Sequence, residues 1–209
     1  MLRKVLIGLA ALVVVLLVVI ATRPSTYRVE RSTRIAAPPE VVFGLVNDFH
    51  AWDRWSPWAK LDPEMKTTYG GPTSGAGASY AWTGNSKVGE GKMRITESRP
   101  AQKVDIRLEF IKPMAGISQT EFSFRPESGG TQVSWVMTGT NDFMGKAFSL
   151  VADMDAMIGK DFEKGLGAMR AEAEADARRR AEAATASATS APSGSAAPVL
   201  PAAAPTPAK

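Results

Sequence analysis

The stretch FHAWDRWSPW, Phe49 to Trp58, holds the chain's one histidine, an aspartate three positions on, and three of its five tryptophans. His50 with Asp53 has the composition of a general acid/base pair, since imidazole titrates at about 6.5 and a carboxylate can orient it. The same spacing also describes an exposed pair, and no second ionisable partner is near in sequence, so the surface reading is favoured. Asp153, Asp155, Asp161 and Glu163 form a second group. Clustered carboxylates can hold a cation or protonate a ligand, but Asp161 and Glu163, two positions apart, diverge around a helix, which favours solvation or surface ion pairs. Gly70-Gly71 and the following PTSGAGAS have GxG spacing without the helix start that phosphate loops require. They read as a flexible loop at a pocket mouth, able to gate access. With no cysteine and a single histidine, thiolate nucleophiles, disulfides and multi-histidine or cysteine metal centres are excluded. No catalytic residue, metal ligand or cofactor is expected.

The elements that would position these residues lie between 27 and 184. YRVERSTRI, Tyr27 to Ile35, predicts a strand. AAPPEVVFGLVNDF predicts a helix entered through Pro38 and Pro39, with Val41, Val42, Leu45 and Val46 on its apolar face. A second short helix carries Trp52 and Trp55 on one face and ends before Pro57. From Met65 the period becomes two: Ala78, Tyr80 and Trp82; Met93 and Ile95; Val104, Ile106, Leu108 and Phe110; Phe122 and Phe124; Val133, Trp135 and Met137. These are half-buried antiparallel strands in a meander, joined at Gly84-Asn85, Arg99-Pro100 and Glu127 to Gly130. Phe148, Val151, Met154, Ile158, Phe162, Leu166 and Met169, at steps of three or four, predict one long amphipathic helix from about Met144 to Ala184. Gly159, Gly165 and Gly167 are expected to face the sheet, because glycine in a helix costs roughly 1 kcal/mol and needs a packing reason. This α+β order allows a curved sheet to wrap the long helix and leave a cavity between them.

Both ends differ from this middle. Val5 to Ala21 is an uncharged, nearly all-apolar run of 17 residues, about 26 Å as a helix and just under the roughly 30 Å hydrocarbon core. It exceeds the usual apolar length of a signal peptide, so residues 1–23 are read as an uncleaved single-pass membrane anchor; a cleaved signal, with small residues near Ala21, is the alternative. Basic residues on both flanks leave the positive-inside rule with little to decide, and the very short N-terminal tail favours a domain on the non-cytoplasmic side. Residues 185–209, built from Ala, Pro, Ser and Thr, read as a disordered tail. A net charge of +4 with acidic residues interspersed argues against a nucleic-acid partner.

Four segments in this order, IAAPPEVVF (Ile35 to Phe43), NDFHAWDRWSPW (Asn47 to Trp58), GEGKMRITE (Gly89 to Glu97) and GKDFEKGL (Gly159 to Leu166), resemble the START-like polyketide cyclase/dehydrase superfamily (SRPBCC, helix-grip fold) over about residues 27–172. The resemblance implies a seven-stranded antiparallel sheet gripping the C-terminal helix around a hydrophobic ligand cavity. Its members include lipid carriers, ubiquinone-binding proteins, hormone receptors and aromatic cyclases, and no universal catalytic motif transfers. The chain is therefore expected to be a helix-grip domain, residues 24–184, that binds a hydrophobic or amphipathic small molecule, lipid or quinone-like, beside the membrane held through residues 5–21. Trp52, Trp55, Tyr80, Trp82, Met93, Phe110, Phe122, Trp135, Met137, Met154, Met157 and Ile158 are the candidate ligand-binding residues. Two alternatives stay open: a cyclase or dehydratase acting on aromatic or polyketide-like substrates, and an envelope interaction module with no ligand.

Overall fold

Alternating apolar residues over five successive hairpin partners can bury one side of each strand only by joining a single sheet. The computed structural model, which describes residues 1–190, has that sheet. Helix α1 (Leu2–Thr22) leads into β1 (Thr26–Ile35), then α2 (Pro39–Asn47) and a 3₁₀ helix (Phe49–Arg54). Strands β2 (Lys66–Gly70), β3 (Ser79–Thr83), β4 (Glu90–Arg99), β5 (Lys103–Lys112), β6 (Gly116–Glu127) and β7 (Gly130–Thr140) follow, and α3 (Phe143–Phe148) and α4 (Met154–Ser190) close the order. The strands pair antiparallel in the order β1-β7-β6-β5-β4-β3-β2. This is the helix-grip fold expected of the sequence: seven antiparallel strands, short helical segments after the first, and a long C-terminal helix.

The topology gives the sheet two distinct ends. At the near end β1 begins and β7 stops, next to α1; at the far end β1 passes into α2. Helix α4 runs along β1 towards the far end. Its Asp155 and Glu163 meet Arg31, its Arg170 donates to the Thr33 hydroxyl, and its Glu174 accepts from the Ala36 amide at 3.1 Å.

Three expectations need correcting. The predicted single helix from Met144 is two helices, because Asp142 caps α3 through the Gly145 amide (2.7 Å) and Asp153 starts a new helix through the Ala156 amide (3.1 Å). The second short helix is a 3₁₀ segment, its first turn fixed by the Asp48 side chain accepting from the His50 amide. Gly159 and Gly165 do face the sheet, where a Cβ would run into Arg31 and Trp135, but Gly167 is exposed with open space around it. Helix α4 continues to Ser190, past the residue where the tail was expected to begin. The remainder of that tail, 191–209, lies outside the described residues.

Candidate functional site

Successive rows of side chains across the concave face behave differently along its length. At the far end Val104, Phe122 and Trp135 stand in register and are fully enclosed. Trp135 stacks on Phe162 of α4 with ring centroids 3.9 Å apart, and Phe122 on Trp135 at 4.8 Å. Trp52 and Trp55 press edge-on against Phe122. Their indole nitrogens donate to the carbonyls of Val46 (3.0 Å) and Leu45 (2.8 Å), two of the last carbonyls of α2, which have no partner inside that helix. The tryptophan pair thus caps α2 and closes the far end. The next row, Ile95, Ile106, Thr120, Met137 and Val29, is also buried.

One step nearer α1 the face opens. Tyr69, Tyr80, Met93, Leu108, Ser118, Gly139 and Tyr27 form a row in which only Ser118 and Gly139 lack a large side chain, yet most of its members are half-buried. In the last row stand Trp82, Gly91, Phe110 and Gly116, and Phe110 is 36% exposed. Here Trp82 and Phe110 meet edge to face, with ring centroids 6.4 Å apart. A Cβ on Gly91 would come within 2.5 Å of the Trp82 indole, whose nitrogen donates to the Val88 carbonyl at 2.9 Å. A Cβ on Gly139 would meet the Tyr27 ring at 2.6 Å, and the Tyr27 hydroxyl bonds Ser118 Oγ at 2.7 Å. Glycine beneath each ring lets it serve as a floor instead of filling the space above.

A cavity of about 540 Å³ opens at the β1 edge of this end, lined by Thr26 to Val29 of β1, by Asn141, by Ser149 to Asp155 around the start of α4, and by Arg23 and Pro24 at the end of α1. Apolar Tyr27, Val29, Leu150, Val151 and Met154 share it with Arg28, Asp153 and Asp155, and Tyr80, Trp82, Met93 and Phe110 lie outside it. It forms because α4 begins only at the level of Arg31. Arg31 lies over Gly159 and bonds Asp155 (3.0 Å) and Glu163 (2.8 Å), carboxylates eight residues apart that hold its guanidinium protonated more firmly than usual. This pair fixes the first turns of α4 against β1. A smaller cavity of about 220 Å³ lies between Phe49, His50, Tyr69, the loop Gly70 to Thr73, and Ala78. There the loop is anchored, with the Gly75 amide on the Asn47 carbonyl and the Gly77 amide on that of Ile95.

The twelve candidate residues divide accordingly. Trp52, Trp55, Phe122, Trp135 and Met137 are packed into the far-end core. Tyr80, Trp82, Met93 and Phe110 lie on the open floor, Met154 lines the larger cavity, Ile158 is half-buried against the core, and Met157 is exposed. Sequence reading missed Tyr27 and Val29. Their parity on β1 was visible, but Arg31 in the same parity broke the apolar pattern. His50 pairs with Asp48, not Asp53, its Nδ1 2.8 Å from the carboxylate, and its ring stacks on Tyr69 at 4.0 Å. Burial, with the nearby Tyr69 and Asp53 adding to it, pushes the Tyr80 hydroxyl up to about 12, so it stays protonated throughout the neutral range. Among the described residues no group of three or more acidic or imidazole side chains is arranged to hold a metal ion.

A family profile described as "Polyketide cyclase / dehydrase and lipid transport" matches residues 26–174. Among curated proteins, none matches the sequence. Similar solved structures include a protein from Chromobacterium violaceum (19% identity, TM-score 0.51, 72% of this chain and 97% of that one). Another comes from Rhizobium leguminosarum (15% identity, TM-score 0.53, 71% and 95%). A third is the di-domain ARO/CYC protein BexL of the BE-7585A biosynthetic pathway (17% identity, TM-score 0.53), of which the match spans 75% of this chain and 52% of that one. At these identities the likeness is one of fold.

Proposed function

Since the chain belongs to the polyketide cyclase/dehydrase and lipid transport family, we propose that it binds a hydrophobic or amphipathic small molecule, lipid or quinone-like, at the near end of the grip, tethered to a membrane by α1. The observation that carries this reading is the cavity beside Tyr27, Val29 and Met154, at the β1 edge of the half-buried near rows of the sheet. Its volume falls in the range of small-molecule sites, and burying apolar ligand surface there is worth roughly 25 cal/mol per Å² before the costs of binding. The polar groups at this face support binding over proton transfer: Tyr27 is bonded to Ser118, Tyr80 holds its proton, and Arg31 is committed to two carboxylates. Helix α1 supports the tether by length and composition, with a mean hydropathy of 3.2 and almost none of its surface buried.

The test uses the full chain in vesicles that contain a phospholipid with a diazirine in its acyl chain. After irradiation, adducts mapped by mass spectrometry should fall on Tyr27 and Met154 as well as on α1. Met154→Trp, which fills the cavity, should remove the adduct on Tyr27 and leave those on α1. Adducts confined to α1 in the unaltered chain would refute the binding site.

A further inference from the structure

We infer that the near end of the domain is a docking face for a lipid bilayer, in which Phe143, Met144, Phe148 and Val151 around α3 and Met114 at the β5–β6 turn sit in the interface beside α1. The inference rests on the reading of α1 as a membrane anchor. Helix α3 has the sequence FMGKAF and buries no side chain, an unusual state for an apolar helix in a folded domain. Val151 is 85% exposed, Met144 64% and Met114 57%. Antiparallel pairing places the β5–β6 turn at the same end of the sheet as the end of β7, from which α3 departs. Large apolar side chains exposed together at one end mark a surface that something covers.

The bilayer is the occupant that geometry favours, because α3 is fixed at the level where α1 would leave the hydrocarbon. Arg23 donates to the Ser149 carbonyl at 2.9 Å, the Lys146 ammonium reaches the Ala21 carbonyl at 3.5 Å, and Ile20 is buried. With Val5 to Ala21 spanning about 26 Å, these contacts place α3 at the membrane boundary, its phenylalanines and methionines beside the acyl chains and Lys146 and Arg23 at headgroup height. A separate partner protein would have to cover the same rim while avoiding the lipid around α1. Leu150 and Val151, which line the larger cavity, border this face. A ligand therefore passes between bilayer and cavity without crossing water.

The chain has no cysteine, so single labels can be placed in the full-length protein. Spin labels on Met144→Cys, Val151→Cys, Leu12→Cys and Ser128→Cys, in vesicles of phosphatidylcholine and phosphatidylglycerol, are compared for relaxation by oxygen, which concentrates in lipid, and by a water-soluble nickel chelate. Oxygen should dominate at 12, 144 and 151, and nickel at 128, on the far-end β6–β7 turn. Nickel dominance at 144 and 151 with 12 still in lipid overturns docking while leaving the tether intact. Nickel dominance at 12 overturns the tether and docking together. Labels at 144 and 151 that are shielded from both reagents, and become accessible to nickel when chains are diluted among vesicles, would assign the rim to a second copy and also overturn the proposal. Ligand binding is read separately by the diazirine adducts, so its failure is distinguishable from each of these.

Discussion

The two ends of one concave sheet face are built from the same residue types and packed in opposite ways. At the far end Phe122, Trp135 and Phe162 stack in series with Trp55 edge-on against Phe122; at the near end Tyr27 and Trp82 lie over glycines and their row neighbours stay half-buried. The difference traces to where α4 lies and to which positions are glycine. A helix that starts at Arg31 covers the far rows and leaves the near rows half-exposed, with the cavity at their β1 edge. Aromatic content alone therefore does not distinguish a core from a binding floor; what the rings rest on does.

The sharpest way to break this comparison is to truncate one ring at each end. Trp135→Ala should cost about 3–5 kcal/mol in urea unfolding, whereas Phe110→Ala should cost under about 1 kcal/mol. Similar losses at both sites would mean that the near end is core as well. Trp135→Phe should be milder than the alanine change, since it keeps the stacking and removes an indole N–H that has no partner among the described residues. Two helix glycines should then respond with opposite sign. Gly159→Ala should destabilise, because the methyl displaces Arg31 from Asp155 and Glu163, while Gly167→Ala, into open space, should stabilise by about 0.5–1 kcal/mol. On the near floor, Gly91→Ala should destabilise, because its methyl would meet the Trp82 indole at 2.5 Å and the Glu109 carbonyl oxygen at 2.7 Å. The phenols give a pH signature. Tyr80 is raised to about 12 against an ordinary 10, so the folded state keeps a proton that the unfolded state loses. Its contribution is complete below about 10 and falls away as pH rises to about 12, which absorbance titration of the wild type against Tyr80→Phe should reveal. His50→Ala should change least, since the ring is exposed and its contacts are with Asp48 and Tyr69.

Most of the sheet was legible because a period of two leaves little freedom: every inward residue named from β3 to β7 is on the concave face. Less legible was the break after α3. Phe148, Val151 and Met154 continue a helical period across it, and only Ser149 and Asp153 hint at an end and a restart. The division of the apolar face into core and floor could not be read from strand parity, which gives direction but not cover. Trp52 and Trp55 illustrate the limit. Their spacing placed them at one end of the grip, but their partners, the final carbonyls of α2, depend on how two helices meet in space.

Only Arg23, Pro24 and Ser25 separate α1 from β1, and proline stiffens that link. With α1 in a bilayer, so short a connection holds the domain within a nanometre or so of its ligand source and limits its tumbling. The effective concentration of membrane-dissolved ligand at the cavity is then set by the lipid phase instead of by the vanishingly small amount dissolved in water. Under that regime a modest intrinsic affinity suffices for high occupancy, and rapid release back to the bilayer is compatible with it. A loosely covered site of the proposed kind is suited to exchange, and a tether of this length would make exchange workable.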